Sequence, residues 1–254
     1  MRNVWIICRK ELRSYFVSPI AYILLGMFAI ISGFFFWSGV GYFQNVGIES
    51  ELRGGMMSMN INEQLIRPLL GNVSVIGLFL IPLITMRLFA EEKRTGTMEL
   101  LATSPIRDSE VILGKWLAAL ILYSGMLLVT LLNFLWLFRY GNPDWKPLAI
   151  GYLGLLLQAG TMLAIGTFTS TLTRNQIIAA ATAFGALLLF WVLGWVEFES
   201  APWARVLAYM AIPEHFESFS KGVLSLKDSV FYVGGIVLGL FLTARSLESL
   251  RWRS

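Results

Sequence analysis

PLAIGYLGLLLQAGTMLAIGTFTSTLTRNQIIAAATAFGALLLFWVLGWV, residues 147–196, carries one charge, Arg174. A charged side chain at the centre of a bilayer costs about 2.5–3.5 kcal/mol on insertion scales, and a spanning helix needs about 20 mostly apolar residues. The two runs on either side of Arg174 meet that length, so they read as two membrane spans joined by a tight turn. The same map of charge-free intervals, carried outward, gives 14–48, 68–86, 116–138 and 229–244. The last is short, and Arg245 near its end extends it by snorkelling. Six helices are expected near 20–43, 70–89, 110–138, 147–172, 176–197 and 229–247.

Composition agrees. Hydrophobic residues make up 56% of the 254, charged residues 14%, and mean hydropathy is +0.68. Average globular chains carry roughly 25% charged residues, so a soluble domain is excluded. The net charge of +4 is small and scattered, which argues against nucleic-acid binding. One cysteine, Cys8, and one histidine, His215, exclude a disulfide framework and argue against a zinc site.

Orientation follows from Lys and Arg. With the N-terminus inside, the inner segments hold 13 and the outer ones 7, so both termini are expected in the cytoplasm. The first apolar run is too long for a cleavable signal and lacks a small-residue cleavage site. A single polytopic domain is expected, all-α, with no internal repeat.

Three stretches are more than plain spans. Residues 2–17 place Trp5, Cys8, Leu12 and Phe16 at helical spacing, with Arg2, Arg9 and Arg13 on another face. That suits a helix in the membrane interface over 1–18, in contact with lipid and broken at Ser18-Pro19. The segment RLFAEEKRTGTMELLATSPIRDSEVILGKW, residues 87–116, gathers charges before a turn at Thr95-Gly96-Thr97 and then Met98, Leu100 and Leu101. It reads either as a docking helix on the cytoplasmic side, over 90–105, or as a solvated hairpin. Asp108 is expected to cap the third span. Residues 199–228 include Pro202 and Pro213 and apolar pieces too short to cross.

Glu197, Glu199, Glu214, His215 and Glu217 gather at the expected outer boundary, where solvated acids are ordinary. Asn133 and Gln158 within the spans suit interhelical hydrogen bonds, and Gly235-x-x-x-Gly239 suits close helix packing within the subunit. A membrane enzyme lacks a paired constellation inside the spans.

FAEEKRTGTMELLATSPI (89–106) followed by VILGKWLAALIL (111–122) resembles the coupling segment and third helix of ABC-2 type transporter permeases. KELRSYFVSPIAYILLG (10–26) resembles the start of the same family, most of all its gliding-motility-associated group. Ser170, Leu172, Thr173 and Asn175–Ala179 resemble its junction of spans four and five.

The resemblance implies an ABC-2 (type V exporter-like) transmembrane domain, half of a transporter assembled from two permease halves, identical or related, and two ATPase subunits. Docking would fall to Glu91, Glu92, Lys93, Arg94, Met98, Glu99, Leu100 and Leu101, with Arg174 and Asn175 as a smaller second contact. Residues 199–228 would form an outer re-entrant segment. Gly114-Lys115 is followed by Trp116, and Ser109 stands where a phosphate loop needs its first glycine. The chain is therefore expected to be non-catalytic and to hold no cofactor, with ATP-Mg bound by the partner. Location in a prokaryotic inner membrane is implied, and export of an unidentified substrate. Mechanical transmission to an external accessory protein, without solute transport, is the alternative.

Overall fold

Trp145–Ser170 is the helix around which the others gather, and small residues are the reason. It presents Gly151, Gly154, Ala159, Gly160, Ala164 and Gly166 along its buried length. In an apolar solvent no hydrophobic force drives helices together, so association depends on close van der Waals approach, which small side chains allow.

In chain order, the computed structural model, which describes residues 2–52, 60–98, 106–141, 143–195 and 202–251, begins with α1 (Arg2–Val17) and α2 (Ile20–Leu52). A π-helical turn (Asn62–Ile66) runs into α3 (Arg67–Thr85), and the short α4 (Ala90–Thr95) follows. Then come α5 (Asp108–Tyr140), α6 (Trp145–Ser170), and α7 (Gln176–Val192) with a 3-10 turn at Leu193–Trp195. Two short helices, α8 (Pro202–Tyr209) and α9 (Ile212–Ser220), precede α10 (Leu226–Arg251). Among the described residues all regular structure is helical.

Among the described residues six stretches are long and apolar enough to cross a membrane: 20–49, 62–95, 108–139, 145–170, 176–195 and 226–249, with mean hydropathies from 1.7 to 2.3. The helices run beyond the charge-free intervals. The second helix continues past Glu49 because nothing in 44–52 breaks it, and a helix satisfies its own backbone as it leaves the membrane. The last begins at Leu226, with Lys227 and Asp228 in its first turn. By contrast α3 stops at Thr85, four residues early, because Met86–Phe89 turn toward α4.

α6 packs against α3, α5, α7, α9 and α10. A Cβ on Gly235 would lie 2.6 Å from the Thr161 side chain, and one on Gly239 would lie 2.8 Å from Ala164. The GxxxG step of α10 therefore seats within the subunit. Polar pairs add to this packing, each worth about 0.5–2 kcal/mol in a membrane. Gln158 Nε2 donates to Ser74 Oγ at 2.7 Å, and Thr161 Oγ1 donates to the Tyr232 carbonyl at 2.9 Å. Apolar side chains such as Ile30, Phe34 and Trp37 of α2, Leu132 of α5 and Val237 of α10 stay exposed, the girdle a lipid phase covers.

α1 lies across α5. The residues set at helical spacing in the sequence divide between two faces: Cys8 is enclosed together with Tyr15, while Trp5 and Phe16 are exposed. The reason is that α1 has two apolar faces. One packs on the bundle, and Trp5, Ile6 and Phe16 face outward beside the exposed Arg2, Arg9 and Arg13.

Candidate functional site

At the end of the bundle where α3 and α6 terminate, α1, α4, α5 and the turn before α4 meet around one lysine. Lys115 sits about two turns into α5, with its side chain only 2% exposed. Its Nζ donates to the Leu88 carbonyl at 2.7 Å, to Glu92 Oε1 at 2.8 Å and to Glu11 Oε1 at 3.0 Å. All three ammonium protons are thereby used, and α1, α4 and α5 are joined at one atom. The Phe89 ring lies 5.2 Å from the same nitrogen, a cation–π contact. Lys10, largely exposed, lies 3.4 Å from Glu11 and 3.7 Å from Glu92, so two lysines balance two acids. Glu92 Oε2 is shielded from solvent and has no hydrogen-bond partner among the described residues.

The approach of α1 that brings Glu11 to Lys115 depends on the residue before it. A Cβ on Gly114 would stand 2.8 Å from the Ile7 side chain and 2.9 Å from the Val4 carbonyl. Gly114 thus makes the crossing, and Lys115 uses it. Further along, the Tyr15 hydroxyl donates to the Ile84 carbonyl at 2.8 Å, tying α1 to the end of α3. Burial, with Glu11 nearby, raises the pKa of the Tyr15 phenol. The Cys8 thiol is raised for the same two reasons.

α4 is held from the other side by α6. Ser170 Oγ accepts the backbone N–H groups of Phe89 and Ala90, both at 3.1 Å, and donates to the Met86 carbonyl at 3.3 Å. It satisfies the start of a six-residue helix that no side chain of its own caps. Lys93 Nζ donates to the Thr171 carbonyl, and Thr171 Oγ1 is 2.8 Å from Ser246 Oγ of α10. Arg87 Nε meets Glu91 Oε2 at 2.8 Å and its Nη1 donates to Ser18 Oγ at 3.4 Å. Gly96, with φ +74°, ends α4 in the left-handed region that glycine tolerates.

The residues singled out in the sequence fall into three groups. Glu91, Glu92 and Lys93 belong to the junction, with Arg94 exposed beside them and Met98 packed on the edge of the core. Glu99, Leu100 and Leu101 lie outside the described residues. Arg174 and Asn175 occupy the turn between α6 and α7. Asn175 caps α7, its Oδ1 accepting the Ile177 N–H at 2.9 Å, and Arg174 is exposed.

Two expectations need correction. Asp108 does not cap α5. Arg107 occupies the cap, its N–H donates to Glu110 Oε2 at 3.3 Å, and Asp108 is the first helical residue. Lys115, weighed in the sequence only among the inner basic residues and in a phosphate-loop pattern that fails, is the centre of the junction. Its one sequence signal was position: a lysine about two turns inside a helix that must enter an apolar phase needs an acid, and Glu92 and Glu11 come within reach only on folding.

At the opposite end, Glu197 and Glu199 lie outside the described residues. Glu214 and Glu217 are exposed, and Glu217 pairs with Lys221 at 2.8 Å and Arg67 at 2.9 Å. The hydrogen bond from Lys221, then the charges of Lys221 and Arg67, hold its carboxyl below the usual range. Among the described residues no group of His, Cys, Asp and Glu is arranged to hold a metal.

The family model of the ABC-2 family transporter protein matches residues 5–235. Curated relatives include the probable multidrug ABC transporter permease YbhS of Escherichia coli K12 and its counterpart in strain O157:H7. Each is 29% identical over 193 residues, which is 72% of this chain and 49% of theirs. The chain spans about half the length of the curated relatives it matches. With a family match that runs from within α1 through the first ten residues of α10, over six helices apolar enough to span a membrane, the chain belongs to the ABC-2 family of transporter proteins.

Proposed function

We propose that the chain is a membrane-spanning permease subunit of an ABC exporter, driven by separate ATPase subunits that dock on residues 90–105. The observation that carries this reading is the junction at α4. A helix of six residues is bonded at once to α1 and α5 through Lys115, to α6 through Ser170 and Lys93, and to its own lead-in turn through Arg87. Displacement of α4 by a partner would therefore be passed to several spans together, because each bond is buried or half-buried and cannot yield to water without cost.

In this reading ATP-Mg is bound by the partner and the chain itself is non-catalytic. Glu91 and Arg94, at the rim, would set partner choice and register, while Leu100 and Leu101 would supply apolar burial. A second permease half, identical or related, completes the pathway. Both termini lie in the cytoplasm and the protein resides in a prokaryotic inner membrane. The name of the YbhS relative, a probable multidrug permease, and the sparse polar groups of these spans favour an apolar or amphipathic substrate over a hydrated one.

The test is co-purification. Leu100→Asp with Leu101→Asp should abolish retention of a nucleotide-binding chain while leaving membrane insertion intact. If the wild type retains no such chain under gentle extraction, the reading fails. Cysteines replacing Glu49 and Arg94, in a chain with Cys8→Ala, should label only from outside and only from inside respectively. The reverse pattern would overturn the orientation.

A further inference from the structure

His215, the chain's one histidine, is 4% exposed and lies in α9. Its Nε2 is 2.8 Å from the Tyr209 carbonyl oxygen at the end of α8, and its Nδ1 is 2.7 Å from Oδ1 of Asp228 in the first turn of α10. A carbonyl only accepts, so Nε2 carries a proton. The contact between Nδ1 and Oδ1 needs a proton as well. The pair therefore holds one proton more than a neutral imidazole beside a carboxylate.

That proton belongs on the ring. Asp228 Oδ2 already accepts the Ser218 hydroxyl at 2.6 Å. Asp228 is also the third residue of a helix whose cap, Ser225, accepts its backbone N–H at 3.3 Å, and the free N–H groups of a first helical turn favour a carboxylate. The resulting imidazolium stacks on Phe231, with ring centroids 3.7 Å apart at 20°, and meets the edge of Tyr209 at 5.0 Å. These rings exclude water and receive the cation.

The other ionisable groups on the elements around α9 are engaged elsewhere or lie farther off. On α10, Lys227 sits over the Tyr209 ring at 4.9 Å, and the Tyr232 hydroxyl donates to the Ile212 carbonyl with its ring 6.3 Å from His215. On α3, Arg67 pairs with Glu217, which Lys221 also holds. On α9 itself Glu214 is exposed, as is Arg205 on α8. On α6 the ionisable groups are Lys146, exposed, and Tyr152, bonded to Thr130. Residues 176–195 contain none. Asp228 is thus the carboxylate that answers the ring.

We propose that His215 and Asp228 form a proton-binding site that latches α8 and α9 onto α10. The latch is closed while the pair holds its extra proton. When that proton leaves, a ring nitrogen lone pair faces an acceptor oxygen inside a dry pocket, and either Tyr209 or Asp228 must move away. Low pH therefore keeps the two short helices docked, and rising pH frees them. The inference does not depend on the docking of an ATPase, and its test involves none.

The single histidine makes the test direct. Full-length protein in lipid nanodiscs, labelled with ring-15N histidine, should show both ring nitrogens protonated at about pH 6. Amides of residues 203–221 should exchange about tenfold faster at about pH 9, after correction for intrinsic rates, than at about pH 6. Asp228→Asn should keep the protection and lose its pH dependence, because an amide N–H can donate to the bare Nδ1 while the amide oxygen still accepts from Ser218. His215→Ala should exchange fast at both pH values. A single neutral tautomer throughout, or an Asp228→Asn variant with the pH dependence of the wild type, would overturn the proposal.

Discussion

Replacing Lys115 by methionine removes the atom at which α1, α4 and α5 meet, and its cost can be worked from the contacts. Methionine preserves most of the volume, so packing changes little. The loss is electrostatic. Glu11 and Glu92 are left facing Lys10 alone, at 3.4 and 3.7 Å, and that lysine is 64% exposed and screened by water. Breaking a buried pair by removing one partner costs about 3–5 kcal/mol. The Leu88 carbonyl also loses its 2.7 Å donor, worth about 1 kcal/mol more.

For a chain of this length each kcal/mol moves the melting midpoint by roughly 2–4 °C, so Lys115→Met should melt about 10 °C below the wild type in matched detergent. Glu92→Gln added to it should recover a substantial part, since it removes one of the stranded charges. Lys115→Arg should fall between, because a planar fork cannot reproduce three divergent bonds. Tryptophan fluorescence during heating reads all four proteins. A Lys115→Met midpoint within about 2 °C of the wild type, or no recovery with Glu92→Gln, would refute the claim that this ammonium holds the junction.

Gly114→Val should loosen the same junction by steric means, since even a Cβ there meets Ile7 and the Val4 carbonyl below 3.0 Å. A loss of about 1–3 kcal/mol is expected, with faster proteolysis of residues 2–17, and an unchanged midpoint would show that α1 does not cross there. Cys8 is enclosed and its thiol pKa is raised by burial and by Glu11. The reactive thiolate is therefore scarcer near pH 8 than in a free cysteine, and maleimide should label the folded protein at least about tenfold more slowly than the SDS-denatured chain. Equal rates would place α1 off the bundle.

Much of this architecture is legible from charge spacing alone. Arg174 between two long apolar runs predicts two spans and a turn, and the structure has α6 and α7 there. Gln158 in mid-span predicts a polar partner, and Ser74 supplies it. Helix ends are less legible. Charges mark where the apolar phase stops, whereas a helix stops where its backbone finds another partner. Hence α10 starts at Leu226, capped by Ser225 and carrying two charges in its first turn, and α3 yields at Thr85. The face of α1 was illegible for a related reason: with apolar residues at Trp5, Ile7, Cys8, Leu12, Tyr15 and Phe16, two stripes compete, and periodicity cannot say which meets protein and which meets lipid.

The local sequence by itself determined that this chain is a six-span helical membrane protein and that its charges concentrate between the second and third spans, because both follow from the cost of placing charge in hydrocarbon. It could not say that Lys115 would meet Glu11 and Glu92, residues 104 and 23 positions away. Nor could it say that Ser170 would cap α4, or that His215 would face Asp228. Those choices belong to tertiary structure. A buried polar group must find its partner wherever helix packing brings one within reach, and that packing is set by small residues such as Gly114, Gly235 and Gly239, whose effect appears only when two helices meet.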